Sequence, residues 1–490
     1  MKRFLSMLMI ATCILMLFGC TGEVADEAAA PIKTEEANTF RIGYGRTDIT
    51  PLTAVPLAGY GNATQRISQN VLDPQMATCI AITDENENTV LMMSYDQQRA
   101  SDITVEAVRP MISQATGVPQ DHIMLAGTHT HSGPDLTVSS NEAIARYIPY
   151  LNEQLVKAAV AAMEDRTPVT DMQAGSIETE AMNFVRHYSY IAPEDGEEKY
   201  FGDSFGTQTL NETTKHITEA DPTMYVLKIA RQDAKDIVLV NWRAHPSSTG
   251  YSNGPLKNIS ADFVGTFRDA MENRLGCNFI YFNGACGNIN SGSRIPGEAK
   301  VSSNNERGSV LADYAIACLE SNMEAISVGD VQITQRIMDM EINHDMDSMV
   351  TQAKLVQAVW QQTNNNAQAI EAGKPYGIRS PYHASAILAN ANREESVDVE
   401  INAISIGEHL SFITFPGELF DDLTEYIEVE SPFDYTLTMC YANGMRGYIP
   451  TAYAFEYTSY ETDCCWFKEG CGEVFRDNLL ELLEQLAAEG

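Results

Sequence analysis

The sequence predicts an α/β fold, in which helices flank a mixed, largely buried β-sheet and an active site lies at strand ends. Strand-like and helix-like segments alternate along residues 40–490, which is typical of layered α/β architecture. Several strand-like runs also end in reactive polar side chains, and α/β proteins place their ligands on such loops.

Hydrophobic periodicity predicts each element in turn. Apolar or alternating runs, several bounded by turn residues, predict strands at 41–51, 76–83, 89–95, 124–127, 224–230, 237–242, 279–282, 331–342, 397–406 and 410–415. The runs at 76–83 and 89–95 predict one hairpin, and those at 397–406 and 410–415 predict another. Helical spacing predicts helices at 103–116, 144–163, 261–275, 305–322, 345–362 and 478–488, with a further helix after Glu418.

Residues 1–20 are predicted to be a signal peptide. A basic start and a short apolar run occupy residues 2–18, and this run is shorter than a membrane span. Residues 17–20 resemble a bacterial lipobox, in which Cys20 is acylated; ordinary secretion with cleavage nearby is the alternative. Residues 21–38 are small, acidic and without periodicity, which predicts a flexible tether. We therefore expect an exported protein that a lipid anchors to the cell membrane or cell surface.

Residues 39–490 are predicted to form a single catalytic domain, because no repeat or low-complexity linker interrupts them. The chain has 67 acidic and 32 basic residues and a net charge of −35. This balance argues against nucleic acid as a partner and against broad adhesion to anionic membranes.

The cysteines are too few for a disulfide scaffold, at 10 in 490 residues. One group lies close in sequence near the C-terminal end, and an exported protein can pair such residues. A thiolate metal site is the alternative for this group, which comprises Cys440, Cys464, Cys465 and Cys471.

Two histidines follow the buried strand at 124–127. His129 and His131 are two positions apart in Gly-Thr-His-Thr-His-Ser-Gly-Pro, so in an extended segment both imidazoles point to one side. The pair suits a metal ligand with a second ligand or an electrophile beside it. A polar loop with hydrogen-bonded histidines is the alternative.

Three more strand-like runs end in groups of this kind. They contribute His245, the pair Asn288 and Asn290, and Glu418. Each alone is weak, since a single histidine is often structural and a glutamate is favoured at a helix N-terminus. Together, histidines and a glutamate from separate strand ends match the ligand set of a catalytic zinc, which keeps a position open for water.

The ordered set of motifs resembles the neutral/alkaline ceramidase family, zinc amidases that hydrolyse the N-acyl bond of ceramide. The resemblance runs from about residue 43 to about residue 460. It rests on Gly-Arg-Thr-Asp-Ile-Thr-Pro at 45–51, Pro-Leu-Ala-Gly-Tyr-Gly at 56–61, the histidine block at 127–134, Ala-His-Pro at 244–246, Phe-Asn-Gly-Ala-Cys-Gly-Asn-Ile-Asn at 282–290, Phe-Pro-Gly-Glu-Leu at 415–419 and Gly-Tyr-Ile-Pro-Thr at 447–451.

The resemblance implies a role for each matching residue. One zinc ion per chain would be bound by His129, His245, Glu418 and Tyr448. His131 would stabilise the tetrahedral intermediate beside the metal, Arg186 would hold the substrate, and Tyr460 would touch the substrate or its oxyanion. A tyrosine ligand binds as phenolate, and zinc lowers its pKa from about 10.

The chain departs from the family in one active-site loop. Ceramidases carry Gly-Asp-Val-Ser-Pro where this chain has Gly287-Asn-Ile-Asn-Ser291, so Asn288 and Asn290 replace the family aspartate and serine. The larger members also continue into an immunoglobulin-like domain, whereas this chain ends about 30 residues after Tyr460. We therefore expect a shorter relative with the metal site and a different substrate preference.

Three functions are compatible with these observations. The first is a zinc-dependent hydrolase in which activated water attacks the carbonyl of an N-acyl compound, either a lipid or a small molecule. The second is an esterase or deacetylase with the same zinc site. The third is a lipid-anchored binding protein without chemistry, which would have no need of the complete set of polar residues.

Overall fold

The computed structural model describes residues 39–60, 66–202, 211–249, 257–292, 301, 303–457 and 459–489. The predicted signal peptide, the tether and Cys20 lie outside this part of the chain. Within it, no helix combines the length and the apolar character that crossing a membrane requires. Residues Asn38–Gly490 form one compact unit.

Strands and helices alternate as predicted. The strands are β1 (Arg41–Asp48), β2 (Asn70–Val71), β3 (Met76–Thr83), β4 (Thr89–Tyr95), β5 (Ile123–Gly127), β6 (Thr167–Glu178), β7 (Asn183–Val185), β8 (His187–Ile191), β9 (Glu198–Gly202), β10 (Lys215–His216), β11 (Thr223–Arg231), β12 (Ile237–Trp242), β13 (Asn258–Ile259), β14 (Asn278–Asn283), β15 (Ile289–Ser291), β16 (Met323–Ala325), β17 (Val331–Glu341), β18 (Ser396–Ile406), β19 (Leu410–Thr414), β20 (Glu418–Leu419), β21 (Tyr435–Met439) and β22 (Tyr448–Ile449). The α-helices are α1 (Asp102–Thr116), α2 (Glu142–Glu164), α3 (Phe263–Leu275), α4 (Asn304–Ser321), α5 (Val350–Thr363), α6 (Asn366–Gly373), α7 (Pro381–Asn390), α8 (Asp421–Glu430), α9 (Tyr460–Cys464) and α10 (Cys471–Glu489).

A nine-stranded sheet forms the centre of the fold. Its order is β14-β12-β11-β6-β1-β3-β4-β5, with β16 paired to β6. The β12–β14 and β4–β5 pairs are parallel, while the β1–β3, β3–β4 and β6–β11 pairs are antiparallel. The predicted mixed, largely buried sheet is therefore confirmed, and so is the hairpin of β3 and β4, which pairs Thr83 with Thr89.

A second sheet, in the order β17-β18-β19-β21, packs against the first. Ile404 and Phe412 from this sheet share one buried core with Ile80, Leu239 and Phe282 from the large sheet. The large sheet is therefore flanked by helices on one face and by a second sheet on the other. Strand side chains alternate between faces, so each sheet can bury both of its faces.

Helices cover the two outer faces. Helix α2 packs on β1 and β3, α3 on β14, and α4 on β6 and β11, while α10 lies on β17 and β18. On β18, Val399 and Ile401 face the core that contains Leu479 and Leu482 of α10, whereas Ile404 faces the other sheet. The result is a four-layer arrangement of helices, two sheets and helices.

The sequence missed elements that carry little apolar signal. Strand β6 is fully buried at only three of its 12 residues, so neither a continuous apolar run nor clean alternation marks it. Helices α6 and α7 were also missed; together with α5 they form a small core of their own. Helix α10 begins seven residues earlier than predicted, at Cys471.

Two glycines let strand β1 lie directly on the backbone of helix α2. A Cβ atom on Gly43 would be 2.0 Å from the carbonyl oxygen of Ala162, and one on Gly45 would be 2.0 Å from that of Ala158. The two alanines are four residues apart, so they lie on the same face of the helix. The contact fixes the spacing between the outer helix layer and the large sheet.

Gly45→Ala is therefore expected to lower the free energy of unfolding by about 1–3 kcal/mol, the usual cost of overpacking. Urea denaturation followed by circular dichroism measures it. Arg46→Ala on the same strand removes a partly exposed ion pair with Glu272 and should cost less than about 1 kcal/mol. Equal stability of Gly45→Ala and the unchanged protein would show that β1 and α2 are not in close contact.

Candidate metal centre

His129 and His131 lie in the loop that follows β5, at the edge of the large sheet. Both are buried, with 1% and 9% of their surface exposed. Their Nε2 atoms are 3.2 Å apart. The φ angle of His129 is +70°, a left-handed conformation that costs free energy for a non-glycine residue and is common at functional sites.

His245 reaches the same space from the loop after β12. Its backbone N–H donates to the carbonyl of Ile289 over 3.1 Å, and it forms a β-bridge with Asn290. The imidazoles of His129, His131 and His245 come together in one buried group whose ligand atoms all lie within 4.8 Å of one another. Among the residues that the structure describes, this is the one group of three or more histidine, cysteine or acidic side chains with metal-binding geometry.

Two carbonyl groups orient the imidazoles of His129 and His245. Nδ1 of His129 is 2.7 Å from the carbonyl oxygen of Gln98, and Nδ1 of His245 is 2.9 Å from that of Ile289. A carbonyl oxygen can only accept, so each Nδ1 carries a proton, and in the neutral ring that binds a metal Nε2 then has the lone pair. Metal-binding histidines in proteins are commonly oriented in this way.

Glu418 and Tyr448 are brought together by strand pairing. Strands β20 and β22 are parallel, and Glu418 is the direct partner of Tyr448. The Oε2 atom of Glu418 lies 3.3 Å from Nε2 of His245 and 3.6 Å from Nε2 of His129. The structure thus brings together three of the four predicted zinc ligands by atomic distance and the fourth, Tyr448, by register.

A glycine allows the loop after β14 to approach Glu418. A Cβ atom on Gly287 would lie 2.3 Å from the carbonyl oxygen of Glu418. The N–H of Gly287 donates to the carbonyl of Leu419 over 2.9 Å. The loop that carries Asn288 and Asn290 is therefore held against β20.

The two predicted substrate-loop residues have different surroundings. Asn288 is 2% exposed, and its Oδ1 accepts from the backbone N–H of Asp421 over 2.9 Å. Asn290 is partly exposed, and its Oδ1 is 3.3 Å from Nη1 of Arg186. Asn288 therefore supports the loop, while Asn290 borders the site.

Arg186 and Tyr460 also lie at Tyr448. Nη2 of Arg186 donates to the phenolic oxygen of Tyr448 over 3.2 Å. The ring of Tyr460 meets the ring of Tyr448 edge-on, with centroids 5.3 Å apart. Every predicted site residue other than Cys20 is thus in this region, although Arg186 is directed at a predicted ligand as well as at Asn290.

A buried arginine connects the loop of His245 to the segment of Glu418. Arg243 lies two residues before His245 in the sequence, and its guanidinium contacts three carboxylates at distances of 2.5–3.0 Å. These carboxylates belong to Asp221, Asp421 and Glu428. One cation does not neutralise three anions, and burial raises the pKa values of Asp421 and Glu428 to about 7 in spite of Arg243.

Burial and neighbouring charges shift the pKa values of the site residues. Burial, followed by the charge of nearby imidazoles, lowers the pKa values of His129 and His131 well below 6.5. Burial acts on His245 in the same direction, but Cys286 and Glu418 outweigh it and raise its pKa to about 9. Burial and Glu418 raise the pKa of Tyr448 well above 10, while Arg186 acts to lower it.

These residues fit a zinc ion. Among the described residues, Nε2 of His245 and Oε2 of Glu418 are buried side-chain atoms without a hydrogen-bond partner, and such atoms cost free energy unless something binds them. Two imidazole nitrogens and a carboxylate are a known zinc ligand set. Nε2 of His131 lies 3.2 Å from Nε2 of His129, which is close enough for His131 to be a further ligand. The family resemblance instead implies that His131 does not bind the metal and stabilises the reaction intermediate.

Sequence reasoning missed several residues of the site. Tyr441 stacks on the imidazole of His129 with centroids 3.8 Å apart, and its hydroxyl is 3.1 Å from Sγ of Cys286. Glu461 accepts from Arg186 with one carboxylate oxygen and contacts His187 with the other. Glu461 directly follows Tyr460, so its position in the sequence was a signal; nothing in the sequence marks Tyr441.

The cysteine group near the C-terminal end contains free thiols. Cys440, Cys464, Cys465 and Cys471 are all unpaired, and the Sγ atoms of Cys465 and Cys471 are 3.9 Å apart. Among the described residues, the grouped metal ligands are the histidines. The structure therefore supports neither a disulfide in this group nor a thiolate metal site.

Comparison with known proteins identifies a family. Residues 40–280 match the model of the family "Neutral/alkaline non-lysosomal ceramidase, N-terminal", and this stretch contains all three histidines of the buried group. This part of the chain belongs to the neutral/alkaline ceramidase family.

Individual ceramidases are distant relatives of the chain. Neutral ceramidase B of Dictyostelium discoideum is 26% identical over 143 residues, which is 27% of this chain and 20% of that protein. The crystal structure of neutral ceramidase from Pseudomonas aeruginosa is 16% identical, covers 92% of this chain and 75% of its own, and has a TM-score of 0.66. The structure of a ceramidase complexed with C2 is also 16% identical; it covers 92% of this chain and 76% of its own, and has a TM-score of 0.65. The two solved structures confirm the fold.

His129→Ala is expected to lose bound zinc and hydrolytic activity together, because one of few protein ligands is removed. Metal analysis of the purified protein, before and after dialysis against a chelator, measures the zinc content. Stoichiometric zinc in the dialysed variant would contradict the ligand assignment.

His131→Ala is the matched comparison, since it removes an imidazole from the same loop. If His131 lies beside the metal, this variant should keep zinc and lose turnover by about 10²–10³-fold, as for the loss of an oxyanion donor. Loss of zinc equal to that of His129→Ala would instead make His131 a ligand.

Proposed function

We propose that this member of the ceramidase family is a zinc-dependent hydrolase of N-acyl bonds. One observation carries the proposal: His129 and His245 present their Nε2 lone pairs, and Glu418 an unpartnered carboxylate oxygen, to the same buried space. Family membership supports the reaction class, since the matching model is that of a ceramidase.

His129, His245 and Glu418 would hold the zinc ion, with Tyr448 as a fourth ligand. A zinc ion in such a site supplies Lewis acidity and activates water at neutral pH. Nδ1–H bonds to backbone carbonyls keep His129 and His245 in the tautomer that binds metal. Arg186 donates to the phenolic oxygen of Tyr448, which favours the phenolate form that a metal ligand requires.

Two side chains would serve as donors to the substrate. Burial raises the pKa of Tyr460 well above 10, so its hydroxyl keeps its proton at neutral pH. The lowered pKa of His131 keeps that imidazole neutral, with one N–H to donate. Donors fixed in a buried site stabilise the negative charge that develops on a carbonyl oxygen during acyl transfer.

The same residues would support hydrolysis of an ester or removal of an acetyl group, because each reaction develops charge on a carbonyl oxygen. Only the leaving group differs. A binding protein without chemistry is disfavoured, since buried polar atoms without partners cost stability and would not be needed.

The loop at Asn290 is expected to set the substrate preference. A carboxamide both donates and accepts hydrogen bonds, and it differs from the serine hydroxyl of ceramidases in shape and reach. A site built for one hydrogen-bond pattern rejects a substrate that leaves buried groups unpaired, at about 1–3 kcal/mol for each group. We propose that a small or polar N-acyl compound is a better substrate than long-chain ceramide.

Asn290→Ser should therefore shift the ratio of kcat/KM for long-chain ceramide against a short N-acyl amine toward ceramide, by up to about tenfold. The assay compares both substrates with and without a zinc chelator. Asn288→Asp restores the other family residue and should shift the ratio less, because Asn288 supports the loop through the backbone N–H of Asp421 and a carboxylate oxygen can still accept that bond. If the unchanged protein hydrolyses long-chain ceramide as efficiently as its best substrate, the proposed preference is contradicted. If the unchanged protein hydrolyses no N-acyl substrate in any assay, the proposed function is contradicted.

We also propose that acylation of Cys20 anchors the protein to a membrane, on the strength of the lipobox-like residues 17–20. The tether at 21–38 would then give the catalytic domain access to substrates near the membrane surface. This location would suit a lipid substrate as well as a small one.

The protein should label with palmitate in a bacterial host and sediment with membranes, and Cys20→Ala should abolish both. A single cysteine is changed, so the catalytic domain should fold and assay normally. A Cys20→Ala protein that still sediments with membranes would indicate an uncleaved signal anchor.

A further inference from the structure

Four groups among the described residues hold Arg186 in a largely buried setting. Its Nε donates to Oε1 of Glu461 over 2.6 Å, and Nη2 donates to the carbonyl of Gly287 over 2.9 Å. Nη2 also reaches the phenolic oxygen of Tyr448, and Nη1 reaches Oδ1 of Asn290. The position of the Arg186 side chain thus determines the hydrogen bonds that it makes to Tyr448, a predicted zinc ligand, and to Asn290 in the substrate loop.

Glu461 is itself fixed from a second direction. It is fully buried, and its Oε2 accepts from Nε2 of His187 over 2.9 Å. The other ring nitrogen, Nδ1, lies 2.7 Å from the hydroxyl of Tyr457. With Nε2 protonated, Nδ1 accepts from Tyr457 in the neutral ring. A chain of hydrogen bonds therefore runs from Tyr457 through His187, Glu461 and Arg186 to Tyr448.

Close contacts hold the backbone around Glu461. Ser459 caps α9, and its Oγ accepts from the N–H of Thr462 over 3.1 Å. A Cβ atom on Gly202 would lie 2.3 Å from Cβ of Ser459, so β9 lies against the start of this helix. His187 is the strand partner of Gly202. Glu461, which holds Arg186, and His187, which holds Glu461, thus belong to one packed unit.

We propose that Glu461 is a positioning residue, which fixes the Arg186 guanidinium so that it bonds both Tyr448 and Asn290. The proposal rests on the function proposed above. Glu461 does not touch the reacting atoms; it acts through Arg186. His187 holds the carboxylate in the orientation that receives the Nε–H of Arg186.

Two other roles fit less well. A proton relay does not fit, because a guanidinium does not give up its proton in proteins. In addition, Arg186 and His187 outweigh burial and lower the pKa of Glu461 to about 2, so the carboxylate does not take up a proton at neutral pH. A purely stabilising ion pair is a weak explanation, since buried ion pairs contribute little net stability compared with apolar packing.

The chain contains a matched control two residues away. Asp463 is also on α9 and is also buried, and it pairs with an arginine, Arg379. Arg379 borders a separate cavity of about 480 Å³ rather than the metal centre. Glu461→Gln and Asp463→Asn therefore each remove from the same helix one buried acid that pairs with an arginine. The arginine of the second pair is 46% exposed, and only the first pair is connected to Tyr448.

The test measures zinc affinity by chelator competition, then kcat and KM on a short-chain ceramide at saturating zinc. Glu461→Gln should weaken zinc binding and lower kcat, each by about 10–100-fold, as is usual for residues that orient metal ligands, with KM changed less than threefold. Asp463→Asn should change zinc affinity and kcat by less than twofold. Wild-type values in Glu461→Gln, or equal losses in Asp463→Asn, would overturn the proposal.

A double-mutant cycle with Arg186→Gln covers the case in which Glu461→Gln folds poorly. The double variant removes both charges, so it leaves no buried charge unpaired. If Glu461 acts through Arg186, zinc affinity of the double variant should equal that of Arg186→Gln alone; losses that multiply would overturn the proposal. If the unchanged protein does not bind zinc, both the proposed function and this proposal are overturned. If it binds zinc and turns over substrate, but neither property depends on Glu461, only the positioning role of Glu461 is overturned.

Discussion

The buried contact of Arg243 with Asp221, Asp421 and Glu428 is the interaction on which the candidate metal centre depends most. It fixes the end of β12, just before His245, to helix α8, just after Glu418. The predicted ligands His245 and Glu418 lie on separate loops that follow different strands, and this contact joins the two loops. A buried ion pair of this kind adds little net stability, so we attribute to it the relative placement of the two loops.

Backbone hydrogen bonds complete this placement. Gly287 donates to Leu419, Glu418 to Gly447, and His245 to Ile289. Each of these bonds joins loops that carry predicted site residues. Backbone bonds depend on chain path more than on side-chain identity, which explains how a chain only 16% identical to a solved ceramidase keeps the same fold over 92% of its length.

The sequence predicted the parts of the fold that have a strong local pattern. Hairpins such as β3–β4 and β18–β19 follow from alternating apolar residues with a short polar break, and the mixed sheet follows from the alternation of elements. It did not predict that a second sheet, rather than helices, covers one face of the large sheet. Both coverings bury the same apolar side chains, and the choice between them depends on contacts distant in sequence.

The candidate site was predictable to a similar degree. Histidines at strand ends and family motifs selected residues that the structure places together. Roles that arise only in three dimensions were missed: the stacking of Tyr441 on His129, the support that Asn288 gives to Asp421, and the contact of Glu461 with Arg186. Each of these contacts joins residues more than 100 positions apart, and no local pattern records such a contact.

The predicted zinc ligands extend along the chain from residue 129 to residue 448, and this spread has a consequence for the order of events in folding. Contacts between such distant segments form late, because the chain must first close long loops. The four groups therefore cannot assemble around a metal ion before the sheets have packed. In small zinc domains the ion drives folding; here the polypeptide must build the cavity first, and uptake of the ion would mark the completion of the native state.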